Sequence, residues 1–266
     1  MKNSDLIEAY PDFFVSELHE DTLWLKFSGN FFHNIISFDQ RNFLSDYFKR
    51  ISRARDIKAV VFYSSYNESG SDEYLNFFLF ESPERSLDHF GLSNTMHRYE
   101  LHRFCNFVDQ TILNIVGMDK IVINICRGHV LSLFMNISLA CDYRIVAEDT
   151  VFYNIFQEIG MLPKGGGPFF LNRMLGAGKT KELLLLNRQI TSNQALEYGI
   201  VDRVVPSEKL YDAAMEVAQS FAQIHNRTLT GVKRLVNYSI KELKEYLEFE
   251  TAEIIRIGRD YQSDDS

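Results

Sequence analysis

Apolar residues along this chain fall into short unbroken runs that alternate with longer stretches of helical spacing. The first run, LWLKF (23–27), reads as a strand after a polar lead-in. A turn-like GNFFHN follows, and then a helix is predicted from a Ser37 cap to about Arg55. In it Phe43, Tyr47 and Ile51, with Leu44 and Phe48, recur at i and i+4 and form one apolar face. The nearly continuous run IKAVVFYS (57–64) predicts a parallel strand buried on both faces. The polar segment SYNESGSDEY (65–74) is a loop, and no regular structure is read from there to about Asn94. Phe104, Val108, Ile112 and Ile115 mark a helix over His97–Val116. KIVINIC (120–126) is the next buried strand, so strand, helix and strand make a right-handed crossover unit.

Beyond it LFMNISLAC (133–141) reads as a short helix, and DYRIVA (142–147) and TVFYN (150–154) as strands. PKGGGP (163–168) is a loop. Helices then dominate: GKTKELLLLN, SNQALEY closed by Gly199, EKLYDAAMEVAQSFAQI, and a last one from about Ile240 into the 250s. VDRVVP (201–206) is a short strand stopped by Pro206, and QSDDS at the end is read as unstructured. The pattern is α/β with a helical C-terminal portion, in a chain of 266 residues that suits one large domain with or without a helical appendage.

Composition narrows the function classes. A formal net charge of -8 argues against nucleic acid as a partner, although a local basic pocket for an anionic cofactor is compatible with it. Cys105, Cys126 and Cys141 lie in apolar stretches without CxxC spacing and read as buried reduced thiols. The N-terminus carries no apolar signal core and no run of 18 apolar residues occurs, so no membrane partner and a cytoplasmic location are expected. None of the seven histidines pairs at HxxxH spacing, and no metal site is expected. GAGKT (176–180) ends like a phosphate loop, but Arg173 stands where that motif needs its first glycine.

One stretch carries a specific resemblance. GHVLSLFMNISLACDYRIVAEDTVFYNIFQEIGMLPKGGG (128–167) aligns without a gap to the GYALGGGCELALACD and FGxPExxLGxxPGxGG segments of the crotonase (enoyl-CoA hydratase/isomerase) superfamily. GIVDRVVP (199–206) resembles its GLVxxVVP. SGNFFHNII (28–36) and SGSD (69–72) stand where the family has NRPxxxNAL and AGAD, so the resemblance spans about residues 23 to 265. It implies a crotonase-like spiral of ββα turns over 1–206 and a helical trimerisation region over 207–266. The implied assembly is a homotrimer or a dimer of trimers.

The chemistry implied is that of an oxyanion hole. Two backbone N–H groups hold a thioester carbonyl and stabilise the charge that develops on its oxygen. Carried across, the donors are the N–H groups of Ser71 and of Leu133, the latter at a helix start. Asn34, Ile35, Gly70 and Asp72 fall on the family's binding cleft. The partner is then an acyl-CoA or acyl-carrier thioester, with coenzyme A as part of the substrate and no separate cofactor. Family members run on past the position of YQSDD into a short helix that helps hold the adenine. With the sequence stopping there, either a weaker hold on CoA and a carrier-bound thioester are implied, or the sequence is a shortened one, which explains the stop equally well.

The departures bear on activity. Ser132, Leu133 and Phe134 replace three family glycines, so side chains crowd the thioester position. Syn hydration needs two carboxylates on one side of the double bond. Asn136 stands at the first family glutamate and Phe156 at the second, which argues against ordinary hydratase activity. Lys164, just before GGG, lies where relatives of other specificity carry a catalytic aspartate. A lysine there binds a carboxylate or donates a proton, or else is a solvated loop residue or one that meets the CoA phosphates. His129 replaces a family tyrosine beside the donor helix, and Asp142 reads as structural. The favoured reading is an enzyme that decarboxylates an acyl thioester, with Asn136 or Lys164 orienting the departing carboxylate. Isomerisation or hydrolysis, with Lys164 or His129 as proton carrier, stays open, and the alternative class is a non-catalytic acyl-thioester-binding or scaffolding homologue.

Overall fold

The computed structural model describes residues 6–7, 9–10, 14–27, 38–64, 98–154, 156, 162–186, 189–238 and 241–263. The strands are β1 (Ala9–Tyr10), β2 (Phe14–His19), β3 (Thr22–Phe27), β4 (Ala59–Ser64), β5 (Ile121–Cys126), β6 (His129–Leu131), β7 (Tyr143–Ala147), β8 (Val151–Tyr153), β9 (Gln189–Thr191) and β10 (Arg203–Val205). The helices are α1 (Phe38–Arg53), α2 (Arg98–Gly117), α3 (Ser132–Ser138), α4 (Gly167–Leu185), α5 (Ser192–Glu197), α6 (Leu210–Ala222), α7 (Asn226–Asn237) and α8 (Leu243–Ser263). Seven strands form one sheet in the order β1-β2-β3-β4-β5-β7-β10, and β6-β8-β9 form a second. From β3 to β10 the large sheet is parallel, while β1, β2 and β3 pair antiparallel.

The unbroken apolar runs are explained by burial on both faces. Because successive side chains point to opposite sides of a strand, Val60 and Phe62 of β4 and Val122 of β5 enter one core. Ala59, Val61 and Tyr63, with Ile121, Ile123 and Ile125, enter the other. The first core is covered by α1 through Leu44, Tyr47, Phe48 and Ile51, and by α2 through Phe104, Val108, Ile112 and Ile115. Those are the stripes predicted from spacing, except that Phe43 is only partly buried. The second core is covered by α6, whose Ala213, Ala214 and Ala218 let the helix sit close to the sheet.

Among the elements that were not legible as apolar patterns are β2 and α7. The polar lead-in to β3 is itself a strand, β2, paired from Phe14↔Phe27 to His19↔Thr22. Its inward positions include Ser16, whose hydroxyl donates to the Leu6 carbonyl at 3.0 Å, so a buried polar residue hid the alternation. Helix α7 buries only Leu229 and Lys233 along its length. The Lys233 ammonium reaches Asp142 Oδ2 at 2.6 Å and the Lys120 carbonyl at 2.8 Å. Asp142 Oδ2 also accepts the Val122 N–H at 2.8 Å, so this residue ties α7 to the start of β5, the structural role read for it. Gly199 closes α5 with a φ of 70°, where glycine carries no steric penalty. Gly176, with φ 78° and ψ 164°, breaks α4 into two segments at the GAGKT sequence.

The three cysteines are free and buried, and burial pushes each thiol pKa from 9.0 up to about 12. Because these values are raised, the neutral thiols contribute stability that is fully present below the ordinary thiol range and lost as pH rises towards about 12. The thiols are therefore expected to resist alkylation in native protein near neutral pH and to react only as fast as the chain opens. A maleimide mass-labelling time course with and without urea checks this, and prompt labelling of native protein contradicts it. No helix among the described residues is long and apolar enough to cross a membrane.

Candidate functional site

The site is built where α3 leaves β6 and meets the glycine loop that precedes α4. Leu131 turns the chain from strand to helix with extended backbone, φ -73° and ψ 149°, and its side chain caps nothing. The first N–H groups of α3, those of Ser132 and Leu133 included, therefore rely on no side-chain cap. Ser132, Leu133 and Asn136 are all buried, on successive turns of the helix.

The glycine loop is held hard against this helix. Gly165 and Gly166 have φ of 99° and 70°, a conformation that side chains rarely adopt. A methyl group at Gly165 would lie 3.2 Å from Asn136 Cβ and 3.5 Å from Leu133 Cδ1. At Gly167 it would lie 2.3 Å from Asn136 Oδ1, closer than any atoms can approach. Asn136 is fully buried, and its Nδ2 donates to the Lys164 carbonyl at 2.8 Å. Asn136 Oδ1 and Ser132 Oγ are buried with no hydrogen-bond partner among the described residues. Phe156 is 2% exposed.

Lys164 departs from its expected place. The sequence suggested an ammonium facing substrate or solvent, whereas the side chain is 1% exposed and turns into the crevice between α2 and α8. Its Nζ lies 2.5 Å from Asp109 Oδ1, 3.0 Å from Glu250 Oε2 and 2.9 Å from Thr251 Oγ1. An ammonium has three donors, and three acceptors take them, so none is left for substrate. A buried charge is retained only when paired, and here the pairing is with two carboxylates. Burial pushes the carboxyls of Asp109 and Glu250 above the ordinary range, with Lys164 pulling the other way. Burial also works against the Lys164 charge, but Glu250, Cys105 and Asp109 outweigh it and hold this lysine above its usual value.

Sequence reasoning passed over Asp109 and Glu250, yet a signal was present. Leu243, Leu247, Glu250 and Ile254 share one buried stripe of α8, and an acid at a core position calls for a buried partner. Glu250 also receives the N–H groups of Gly165 and Gly166, at 3.1 and 3.0 Å.

His129 begins β6, is exposed, and meets the Tyr153 ring edge-on at 5.0 Å between centroids. It differs in this from the buried Leu133, Asn136, Phe156 and Lys164. Asn34, Ile35, Gly70, Ser71 and Asp72 lie outside the described residues. What remains is a helix start free of side-chain caps beside a buried apolar and amide wall. Neither Asn136 nor Phe156 can exchange protons near neutral pH, and Lys164 is fully engaged.

Comparisons with known proteins agree on the architecture. The enoyl-CoA hydratase from Bacillus halodurans superposes with a TM-score of 0.76 at 20% identity, covering 92% of this chain and 95% of that one. DspI from Pseudomonas aeruginosa superposes with a TM-score of 0.71 at 20% identity, covering 95% and 90%. Among curated proteins, the trans-2-decenoyl-[acyl-carrier-protein] isomerase of Streptococcus mutans is 30% identical over 145 residues, 54% of this chain and 51% of that protein. Carnitinyl-CoA dehydratase of Salmonella paratyphi A is 28% identical over 124 residues, 47% of this chain and 48% of that protein. The chain thus spans about half the length of the curated relatives it matches. The family profile described as Enoyl-CoA hydratase/isomerase matches residues 93–258, which include α3, the glycine loop, Asp109 and Glu250. This chain belongs to the enoyl-CoA hydratase/isomerase family.

Proposed function

We propose that this protein holds an acyl thioester, on coenzyme A or on an acyl carrier, with the carbonyl oxygen at the N–H groups of Ser71 and Leu133. It forms the enolate by decarboxylation and not by proton abstraction. The observation that carries this reading is the Asn136 amide, fully buried and tied through Nδ2 to the Lys164 carbonyl at the position of the family's first glutamate. A neutral, fixed amide there and a phenyl ring at Phe156 supply no proton transfer. Decarboxylation needs none at the bond-breaking step. The bond between the α-carbon and the carboxylate breaks, its electron pair moves into the thioester carbonyl, and carbon dioxide leaves. The oxyanion is stabilised by the backbone donors, and water then protonates the α-carbon.

The apolar Leu133 at the start of α3 supports this route, because a carboxylate poorly solvated beside it is raised in energy before it leaves. Lys164 is not free to orient that carboxylate, since its three donors are engaged within the protein, while Asn136 Nδ2 gives one of its two N–H groups to the Lys164 carbonyl. The relatives are named as an isomerase acting on an acyl-carrier thioester and a dehydratase acting on a CoA thioester, which supports a thioester as the ligand. Isomerisation through Lys164 has less support, because all three of its donors are taken. No separate cofactor enters this reading. Assembly as a homotrimer or dimer of trimers is supported by the exposed Val232, Leu235, Tyr238 and Phe249 on and beside α7 and α8.

A second reading, a non-catalytic acyl-thioester-binding homologue, is favoured by one observation. Leu133 fills the place of a family glycine and packs under the loop at Gly165, where the thioester would be crowded. Incubation with a panel of malonyl-type CoA and carrier thioesters, followed by mass spectrometry, separates the two. Loss of carbon dioxide is expected from at least one substrate. Binding without any change of mass across the panel would move the function to the second reading.

A further inference from the structure

We propose that Glu250 is a positioning residue for the thioester site, holding the glycine loop, and through it Asn136, in place from α8. This rests on the site reading above. The chain of contacts is continuous. From α8, Glu250 Oε2 and Oε1 take the N–H groups of Gly165 and Gly166 at 3.1 and 3.0 Å. Glu250 Oε2 also lies 3.0 Å from the Lys164 ammonium. The same ammonium is bound by Asp109 on α2 and by Thr251, whose hydroxyl donates to Asp109 Oδ2 at 2.9 Å. On the other side of the loop, the Lys164 carbonyl receives Asn136 Nδ2 at 2.8 Å. One residue, Lys164, thus has its side chain fixed by α2 and α8 while its backbone fixes the side chain at the family's first glutamate position.

Two features go beyond ordinary packing. The loop has two successive left-handed glycines, residues free to take many other conformations, so it is partners outside the loop that fix it in this one. The grip is also ionic and unbalanced. Two carboxylates face one ammonium, and the groups around them are Cys105 on α2 and Tyr246 and Glu248 on α8. One proton more or less on this cluster changes the charge against the loop N–H groups, and the Asn136 amide registers it one hydrogen bond away.

The test is the side-chain NH2 resonance of Asn136, followed against pH in protein labelled with nitrogen-15 at asparagine, in wild type and in Glu250→Gln. Wild type is expected to titrate, and Glu250→Gln is expected to shift that resonance and change its titration, with Asp109 the carboxyl left on Lys164, while the fold is kept. Decanoyl-CoA, which has no double bond or carboxylate to react, serves as the ligand probe by calorimetry. Its binding is expected to weaken about tenfold in Glu250→Gln, the size of one lost loop hydrogen bond. If the glutamine variant does not fold, Glu250→Asp replaces it, because the shorter side chain keeps its charge but cannot reach both loop N–H groups. A folded variant whose Asn136 resonance and titration match wild type overturns the proposal. Wild type that binds neither decanoyl-CoA nor a decanoyl carrier protein overturns the thioester reading instead, and the resonance still decides the role of Glu250.

Discussion

Replacing Lys164 with methionine is expected to cost about 3–5 kcal/mol of stability near pH 8, because it leaves Asp109 and Glu250 buried against each other without a counter-charge. The sign of the pH dependence follows from the shifts. Both carboxyls are raised above their ordinary range by burial, so their neutral forms contribute stability in acid, and that contribution is lost as pH rises through the raised values. Lys164, held above its usual value, offsets the loss up to the alkaline range. Without it the full penalty of two buried carboxylates appears. The difference between Lys164→Met and wild type should therefore be largest near pH 8 and shrink towards about pH 5 and below, as the acids take up protons. Urea denaturation followed by circular dichroism at the two pH values measures it. An equal loss at both, or a loss below about 1 kcal/mol at the higher, would mean that the cluster is hydrated and weak, as surface pairs are.

Gly167→Ala is expected to destabilise by about 1–3 kcal/mol, the range for overpacking a close-packed site, even though alanine favours a helix start over glycine. The added methyl would sit 2.3 Å from Asn136 Oδ1 and 2.6 Å from Nδ2, and Asn136 has no exposed route by which to retreat. It must give up its bond to the Lys164 carbonyl. The diagnostic outcome is non-additivity. Asn136→Ala should relieve the clash, so the double variant is expected to be more stable than Gly167→Ala alone. Thermal melts of the four proteins close the cycle, and simple addition of the two losses would place Asn136 away from Gly167.

These two predictions fall on residues that were visible in the sequence to different degrees. The large sheet and the helices α1 and α2 were legible because their burial is periodic: IKAVVFYS and KIVINIC alternate between two cores, and Phe104, Val108, Ile112 and Ile115 follow one helix face. Helix α7 was not legible, since it is capped by His225, carries Gly231 in its interior and leaves Val232 and Leu235 exposed. At the site, the motif named Asn136 and Lys164, but neither the packing of Asn136 against the glycine loop nor the direction of Lys164 followed from it. A loop lysine next to glycines can turn either way, and only the acids at Asp109 and Glu250 decide it. They stand 55 and 86 residues away in the chain, and nothing in local spacing links them to Lys164. An acid on an apolar helix stripe is a signal that a partner exists, without saying where.

Enoyl thioesters test most directly the proposal that this member of the enoyl-CoA hydratase/isomerase family holds an acyl thioester without hydrating it. Purified protein is incubated with crotonyl-CoA and with trans-2-decenoyl thioesters of CoA and carrier protein, and the products are weighed by mass spectrometry while binding is followed by calorimetry. Binding with no gain of water on any of them is the expected result, since Asn136 and Phe156 provide neither base nor acid. Gain of water at a catalytic rate would contradict it, and would mean that a carboxylate outside the described residues completes the site.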